Sequence, residues 1–224
     1  MQSPFAYSIH IPPAIAPDQR YPVIFALHGI GYSEQDILSV VADLEEEFIL
    51  IAVRGHLSYN QGYAYYTLKE YGKPDRDTFD ESLEMLQVFM EYATNKYPVS
   101  ADNRYLLGFS QGAILSMSLA LLLGNSIKGI VAMNGYIPAF VKDEFEVKSI
   151  DQLSIFLSDG EFDDIFPVSI GKENYVYLNS RAKSVCYKTY PAGHEICEEN
   201  GRDIVAWLRN DSAHLQQRSK SIYG

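Results

Sequence analysis

The chain has 224 residues, with 18 Lys and Arg against 29 Asp and Glu, for a formal charge of −11. Apolar residues make up 47% and charged residues 21%, the proportions of an ordinary globular domain, which excludes collagen-like, disordered and disulfide-rich chains. The negative balance argues against a nucleic-acid partner, which needs clustered Lys and Arg, and more weakly against adsorption to anionic lipid.

Short β-rich runs alternate with helical segments. Strands are expected at Phe5–Ile11, Tyr21–Leu27, Phe48–Val53, Arg104–Phe109, Ile127–Met133, Ser154–Leu157 and Ser184–Tyr190. The middle runs are continuously apolar, as in strands covered on both faces of a mostly parallel sheet. The first alternates and stops before Pro12-Pro13, which suits an antiparallel edge. Helices are expected over Glu34–Glu47, entered through Ser33 and Asp36, and from Thr78 to about Lys96, with Thr78 and Glu81 as a capping box. Three more follow Ser110 as far as Gly124, Val168–Ser180 and Glu198–Leu208. No composition break or repeat divides the chain, so one α/β domain is expected over 1–210, with 211–224 as a polar C-terminal tail.

The N-terminal segment has no basic residue before Arg20 and no long apolar run, so no signal peptide is expected. The longest apolar stretch, near Ala113 to Leu123, suits a buried helix better than a membrane span. Cys186 and Cys197 cannot build a disulfide framework and read as reduced thiols, so the expected location is cytoplasmic, with no membrane partner.

In a doubly wound sheet, chemistry collects at the carboxyl ends of the strands. There Gly108-Phe109-Ser110-Gln111-Gly112 reads G-x-S-x-G between an apolar strand and a buried helix. The chain must turn within a residue or two, which strains Ser110 and exposes its Oγ, while side chains at 108 and 112 would collide. The following helix directs its free N–H groups and positive end at the hydroxyl. A serine hydroxyl is a poor nucleophile unless a base takes its proton and an acid orients the base. On this architecture the order is serine, acid, histidine. The run after Leu157 offers three candidate acids, Asp159, Asp163 and Asp164, which sequence physics alone does not rank. The last expected strand is followed by Pro191-Ala192-Gly193-His194, which places His194 as base.

His10 and His214 read as structural or solvated, and His56, beside Arg54, as a rim residue. Leu27-His28-Gly29-Ile30-Gly31 ends the strand that supplies the second oxyanion donor in this arrangement, so the N–H groups of Ile30 and Gln111 form the expected oxyanion hole. The Tyr-rich run 59–66 borders the same region. Tyr63, Tyr65 and Tyr66 read either as a pocket wall for an aryl or short acyl group or as ordinary loop packing. Arg54 reads as a binder of an anionic leaving group or, more commonly, as the partner of a local carboxylate. The stretch Asn134–Gln152 is too short for a large cap, and neither a metal motif nor a cofactor is expected.

LHGIG, GFSQG, NGYIP, DGEFDDIFP and AGHEI, in that order, resemble the phospholipase/carboxylesterase family of α/β-hydrolases, which includes acyl-protein thioesterases and small bacterial carboxylesterases. The resemblance runs from about Arg20 to Leu208. It implies a single-domain α/β-hydrolase fold with a mostly parallel central sheet, helices on both faces and no large cap domain. It also selects Asp163, three residues after Gly160 and ahead of Pro167, over Asp159 and Asp164. One departure stands out: the family usually has histidine where this chain has Asp159, an extra carboxylate that either tunes His194 or merely caps the turn.

The expected function is hydrolysis of carboxylic esters with short to medium acyl chains, through an acyl-enzyme formed by Ser110, His194 and Asp163. A thioesterase acting on acylated proteins or acyl carriers is the alternative. A non-catalytic ligand-binding protein on the same fold is a more distant one. The expected partner is a small-molecule ester, and a homodimer stays open.

Overall fold

The computed structural model describes residues 2–13, 19–70 and 72–222, with side chains described as far as Ala213. Seven strands form the central sheet: β1 (Tyr7–His10), β2 (Tyr21–Leu27), β3 (Ile49–Val53), and, after two small hairpins described below, β8 (Val99–Phe109), β9 (Gly129–Met133), β10 (Ser154–Gly160) and β11 (Ser184–Tyr190). Their order is β1-β3-β2-β8-β9-β10-β11. β1 runs antiparallel on β3 at the edge, and every other pairing is parallel.

Alternation along each strand feeds two apolar layers. Ile24, Ala26, Leu50, Leu107 and Phe156 point to one face, where they meet Ile37 and, from the C-terminal helix, Ile204 and Leu208. That face is covered by α1 (Glu34–Ser39) and α6 (Glu198–Ile222). Phe25, Ile51, Leu106 and Ile130 point the other way, under α2 (Arg76–Lys96), α3 (Gln111–Leu123) and α5 (Val168–Asn179). The short α4 (Ala139–Glu144) occupies the stretch expected to carry no cap. α3 is buried from Gln111 to Leu121, as its all-round apolar sequence requires.

Several boundaries differ from expectation. The first helix stops at Ser39, whose Oγ donates back to the Asp36 carbonyl at 2.7 Å, and a 3₁₀ turn at Ala42–Leu44 replaces the remainder. Its entry is as read: the Ser33 N–H donates to Asp36 Oδ2 at 2.8 Å. α2 is capped by Asp75, which accepts the Thr78 N–H at 3.2 Å, instead of by a Thr78–Glu81 box. Thr78 Oγ1 instead accepts the Thr67 N–H at 3.1 Å. β10 continues through Ser158 and Asp159 to Gly160, because Asp159 still pairs with Thr189 of β11. The Tyr-rich run is a hairpin, β4 (Leu57–Tyr59) with β5 (Gly62–Ala64), and a second hairpin follows, β6 (Leu68–Glu70) with β7 (Lys73–Pro74). α6 carries on through the polar segment expected as a tail. The His214 side chain lies outside the described residues. Among the described residues no helix is long and apolar enough to cross a membrane.

Candidate active site

Ser110 sits between β8 and α3 with φ 52° and ψ −114°, a region that non-glycine residues rarely occupy. The turn leaves no room beside it. A Cβ on Gly108 would lie 2.1 Å from the Gly112 carbonyl oxygen, and one on Gly112 would lie 2.1 Å from that of Leu27. Gly112→Ala is therefore expected to destabilise the fold by about 3 kcal/mol or more, since the backbone of Leu27 and His28 must move; urea unfolding measures it.

Three side chains from three strand ends meet at this turn. His194 Nε2 is 2.8 Å from Ser110 Oγ, and His194 Nδ1 is 2.8 Å from Asp163 Oδ2. The imidazole lies between the Phe109 and Phe166 rings, with centroid distances of 5.0 and 5.3 Å. Asp163 is buried and accepts four hydrogen bonds. The N–H groups of Ile165 and Phe166 reach Oδ1 at 2.8 and 2.9 Å, and Asn134 Nδ2 reaches Oδ2 at 2.8 Å beside His194. Burial alone would raise its pKa, but the bonds from Asn134, Phe166 and His194 prevail and hold it below the ordinary aspartate value. An anionic Asp163 can only accept, so the imidazole proton sits on Nδ1, leaving Nε2 free to accept the Ser110 O–H.

Asn134 was not singled out in the sequence. It has φ 51°, a conformation that Asn tolerates better than most residues, and its N–H donates to the Ser158 carbonyl at 2.8 Å. An asparagine directly after the apolar run GIVAM, at a strand end beside the expected acid loop, is the signal that marks it.

The segment after β2 is fixed by His28. Gly55 N–H donates to His28 Nε2 at 3.0 Å, so Nδ1 carries the proton and donates to the Gly29 carbonyl at 2.7 Å. Burial lowers the His28 pKa and keeps the ring neutral. A trans peptide points its N–H opposite its carbonyl, so holding the Gly29 oxygen on His28 turns the Ile30 N–H the other way. Among the described residues, neither the Ile30 nor the Gln111 N–H has an acceptor. The Gln111 side chain is occupied elsewhere: Oε1 accepts the Tyr65 N–H at 2.8 Å and Nε2 donates to the Tyr66 carbonyl at 2.7 Å.

A cleft of about 330 Å³ opens over Ser110, with Ile30, Gln111 and His194 in its wall. Its apolar side is formed by Tyr66, Leu68, Ile114, Ile165 and Phe166. Tyr136 Oη donates to the Gly72 carbonyl at 2.6 Å, tying the β6–β7 hairpin to the segment after β9. Of the four residues read as pocket lining, only Tyr66 lines the cleft. Tyr65 is buried beneath the oxyanion segment, where its hydroxyl donates to the Val53 carbonyl at 2.7 Å and accepts the His28 N–H at 3.2 Å. Tyr63 bridges to Tyr32 and lies under the Arg54 guanidinium. Arg54 pairs with buried Glu34 through Nε at 2.7 Å and Nη2 at 2.5 Å. Arg54→Ala is therefore expected to cost about 2 kcal/mol of stability, by stranding the Glu34 carboxylate, with ester turnover within about two-fold of the parent; paired thermal melts and rates check both. His56 packs edge-on against Phe5 and does not line the cleft. Among the described residues no group of three or more His, Cys, Asp or Glu could hold a metal ion.

A mostly parallel sheet, a strained serine at the β8–α3 turn, and an Asp and a His that follow β10 and β11 define an α/β-hydrolase. Residues 14–211 match the phospholipase/carboxylesterase family, and the chain belongs to that family of hydrolases. It is 28% identical over 221 residues to acyl-protein thioesterase 1 of Candida albicans, covering 88% of this chain and 95% of that protein. Acyl-protein thioesterase 1 of Debaryomyces hansenii is 29% identical over 161 residues, 66% of this chain and 68% of that protein. Among solved structures, the Bacillus cereus carboxylesterase superposes with a TM-score of 0.82 at 21% identity, covering 93% of this chain and 95% of that one, a likeness of fold.

Proposed function

We propose that this hydrolase cleaves carboxylic esters of short to medium acyl chains, with Ser110 as nucleophile, His194 as general base and acid, and Asp163 as the orienting acid. The observation that carries the reading is the unbroken relay from Ser110 Oγ through His194 to Asp163, with both links at 2.8 Å. Ser110 Oγ bonds to the ester carbonyl carbon as its proton passes to His194 Nε2. The carbonyl oxygen becomes an oxyanion, for which the unpartnered N–H groups of Ile30 and Gln111 are the donors. The C–O bond to the alcohol then breaks, and the imidazolium returns the proton to the departing oxygen. Water attacks the acyl-Ser110 ester by the same route in reverse, releasing the carboxylic acid.

The cleft volume supports the chain-length part of this reading, because about 330 Å³ is near the lower end of small-molecule sites, which span roughly 300–1,000 Å³. The relatives named acyl-protein thioesterase favour thioester cleavage as the second reading. A cytoplasmic location belongs to the same proposal and is supported by the unpaired Cys186 and Cys197. Fluorophosphonate labelling followed by a series of p-nitrophenyl esters from acetate to palmitate tests the reading. Labelling of Ser110 with the highest kcat/KM at or below about eight carbons is expected. A preference for longer chains, together with faster cleavage of the matching thioester, replaces it with the thioesterase. Absence of labelling in the folded protein replaces it with a non-catalytic binding protein. Sedimentation of the same preparation reports whether the chain is a homodimer.

A further inference from the structure

The Asp159 carboxyl is buried one residue before the end of β10, and the relay described above makes no use of it. Its place is built. A Cβ on Gly171 of α5 would lie 1.6 Å from Asp159 Oδ2, so the carboxyl occupies space that only glycine leaves at that turn of the helix. The same Cβ would lie 2.8 Å from Tyr187 Oη of β11, placing the hydroxyl and the carboxyl at one point against the helix backbone. Tyr187 Oη faces the Asp159 carboxyl there and lies 3.4 Å from the Val168 carbonyl at the start of α5. A carboxyl that capped the turn would accept a backbone N–H there, and among the described residues none donates to Asp159. This one locks β10, β11 and α5 together at the point where the chain leaves the sheet for the Asp163 loop. That loop is held from its other side by the Glu161 N–H on the Tyr190 carbonyl at 2.8 Å and the Phe162 N–H on the Ala192 carbonyl at 2.9 Å.

We propose that Asp159 is a positioning residue for the triad acid: it anchors the strand end that launches the Asp163 loop, and its negative charge adds to that of Asp163 in favouring the His194 imidazolium. The proposal rests on the reading of Ser110, His194 and Asp163 as a triad. The neighbouring titratable groups are few. Tyr187 faces Asp159 from β11, and Asp163 acts on it from the loop. α5 presents Gly171 and keeps Lys172 and Glu173 exposed. Lys188 is paired with Asp203 at 2.8 Å, and Glu161 accepts from Thr189 at 3.1 Å. Burial, with Asp163 adding to it against the Tyr187 hydroxyl, pushes the Asp159 pKa up to about 6, so its charge develops around that pH.

The sign of the effect follows. An anion beside the relay favours the positive imidazolium of the transition state, so removing it is expected to move the acid limb of kcat/KM to lower pH. Asp159→Asn keeps the shape and removes the charge. It is expected to move the midpoint of that limb down by about half a pH unit and to lower kcat at pH 8 about three-fold, because the imidazolium of the transition state loses support. Tyr187→Phe, which removes the donor and biases Asp159 towards its neutral form, moves the limb the same way by a smaller amount and serves if Asp159→Asn does not fold. A midpoint that stays in place or rises in a folded variant, whatever the loss of rate, overturns the proposal and leaves Asp159 a structural clamp. Fluorophosphonate labelling of Ser110 in each preparation separates this failure from failure of the triad reading: unlabelled parent protein removes the triad, whereas a labelled parent and an unmoved limb remove only Asp159.

Discussion

Ser110→Ala is expected to lower kcat on p-nitrophenyl acetate by about six orders of magnitude, to the level of solution hydrolysis assisted only by the remaining binding groups. The loss is large because the interactions at Ser110 act as a unit. Without Oγ there is no acyl-enzyme, His194 has no proton to accept, and the N–H groups of Ile30 and Gln111 have no tetrahedral oxyanion to hold. Stability should move little or even rise. Ser110 is held at φ 52°, and its Oγ contact in the free protein is the one to His194. A melting temperature equal to or above that of the parent, with no turnover and no fluorophosphonate label, is the result that fits. Retention of more than about one thousandth of the activity would place the nucleophile elsewhere.

The legibility of this site in the sequence varied with how local each cause is. Ser110 was legible because strand, glycine, serine, glycine and helix are consecutive, and the collisions that demand Gly108 and Gly112 arise within that turn or against β2. His194 was legible because it is the histidine in the short loop that follows the last expected strand. The parallel sheet was legible from its continuous apolar runs, and Ser110, Asp163 and His194 all follow the carboxyl ends of its strands. The choice of acid was not, since Asp159, Asp163 and Asp164 crowd one segment and only the family resemblance ranked them. The pocket was read least well. Tyr63, Tyr65 and Tyr66 are consecutive or nearly so, yet a hairpin sends them to different surroundings, one to Tyr32, one beneath His28 and one to the cleft. The partners Tyr136 and Phe166 come from distant segments with no shared spacing. Arg54 likewise found its carboxylate twenty residues away at Glu34, a pairing that only the folded chain brings together.

Asp163→Asn is expected to reduce kcat by about ten-thousand-fold with KM nearly unchanged, whereas Asp164→Asn stays within about two-fold of the parent. The asymmetry comes from their surroundings. Asp163 is buried and accepts from His194, Asn134 and two backbone N–H groups, whereas Asp164 is exposed. An amide at 163 keeps the volume but must present its oxygen to the two N–H groups of Ile165 and Phe166, where an NH₂ would meet donors. That choice leaves the NH₂ facing both the Asn134 amide donor and His194 Nδ1. The imidazole is then driven to carry its proton on Nε2, facing Ser110, where it can no longer accept. The imidazolium formed in the transition state also loses the anion beside it, and both effects fall on the chemical step instead of on binding. Asn134→Ala removes one bond to the same carboxylate without changing its charge, so its loss of kcat should be far smaller, about ten-fold. Parallel rate measurements on Asp163→Asn, Asp164→Asn and Asn134→Ala therefore rank the three by how directly each sets the imidazole proton. A full loss in Asp164→Asn with near-normal turnover in Asp163→Asn would assign the acid to the wrong neighbour.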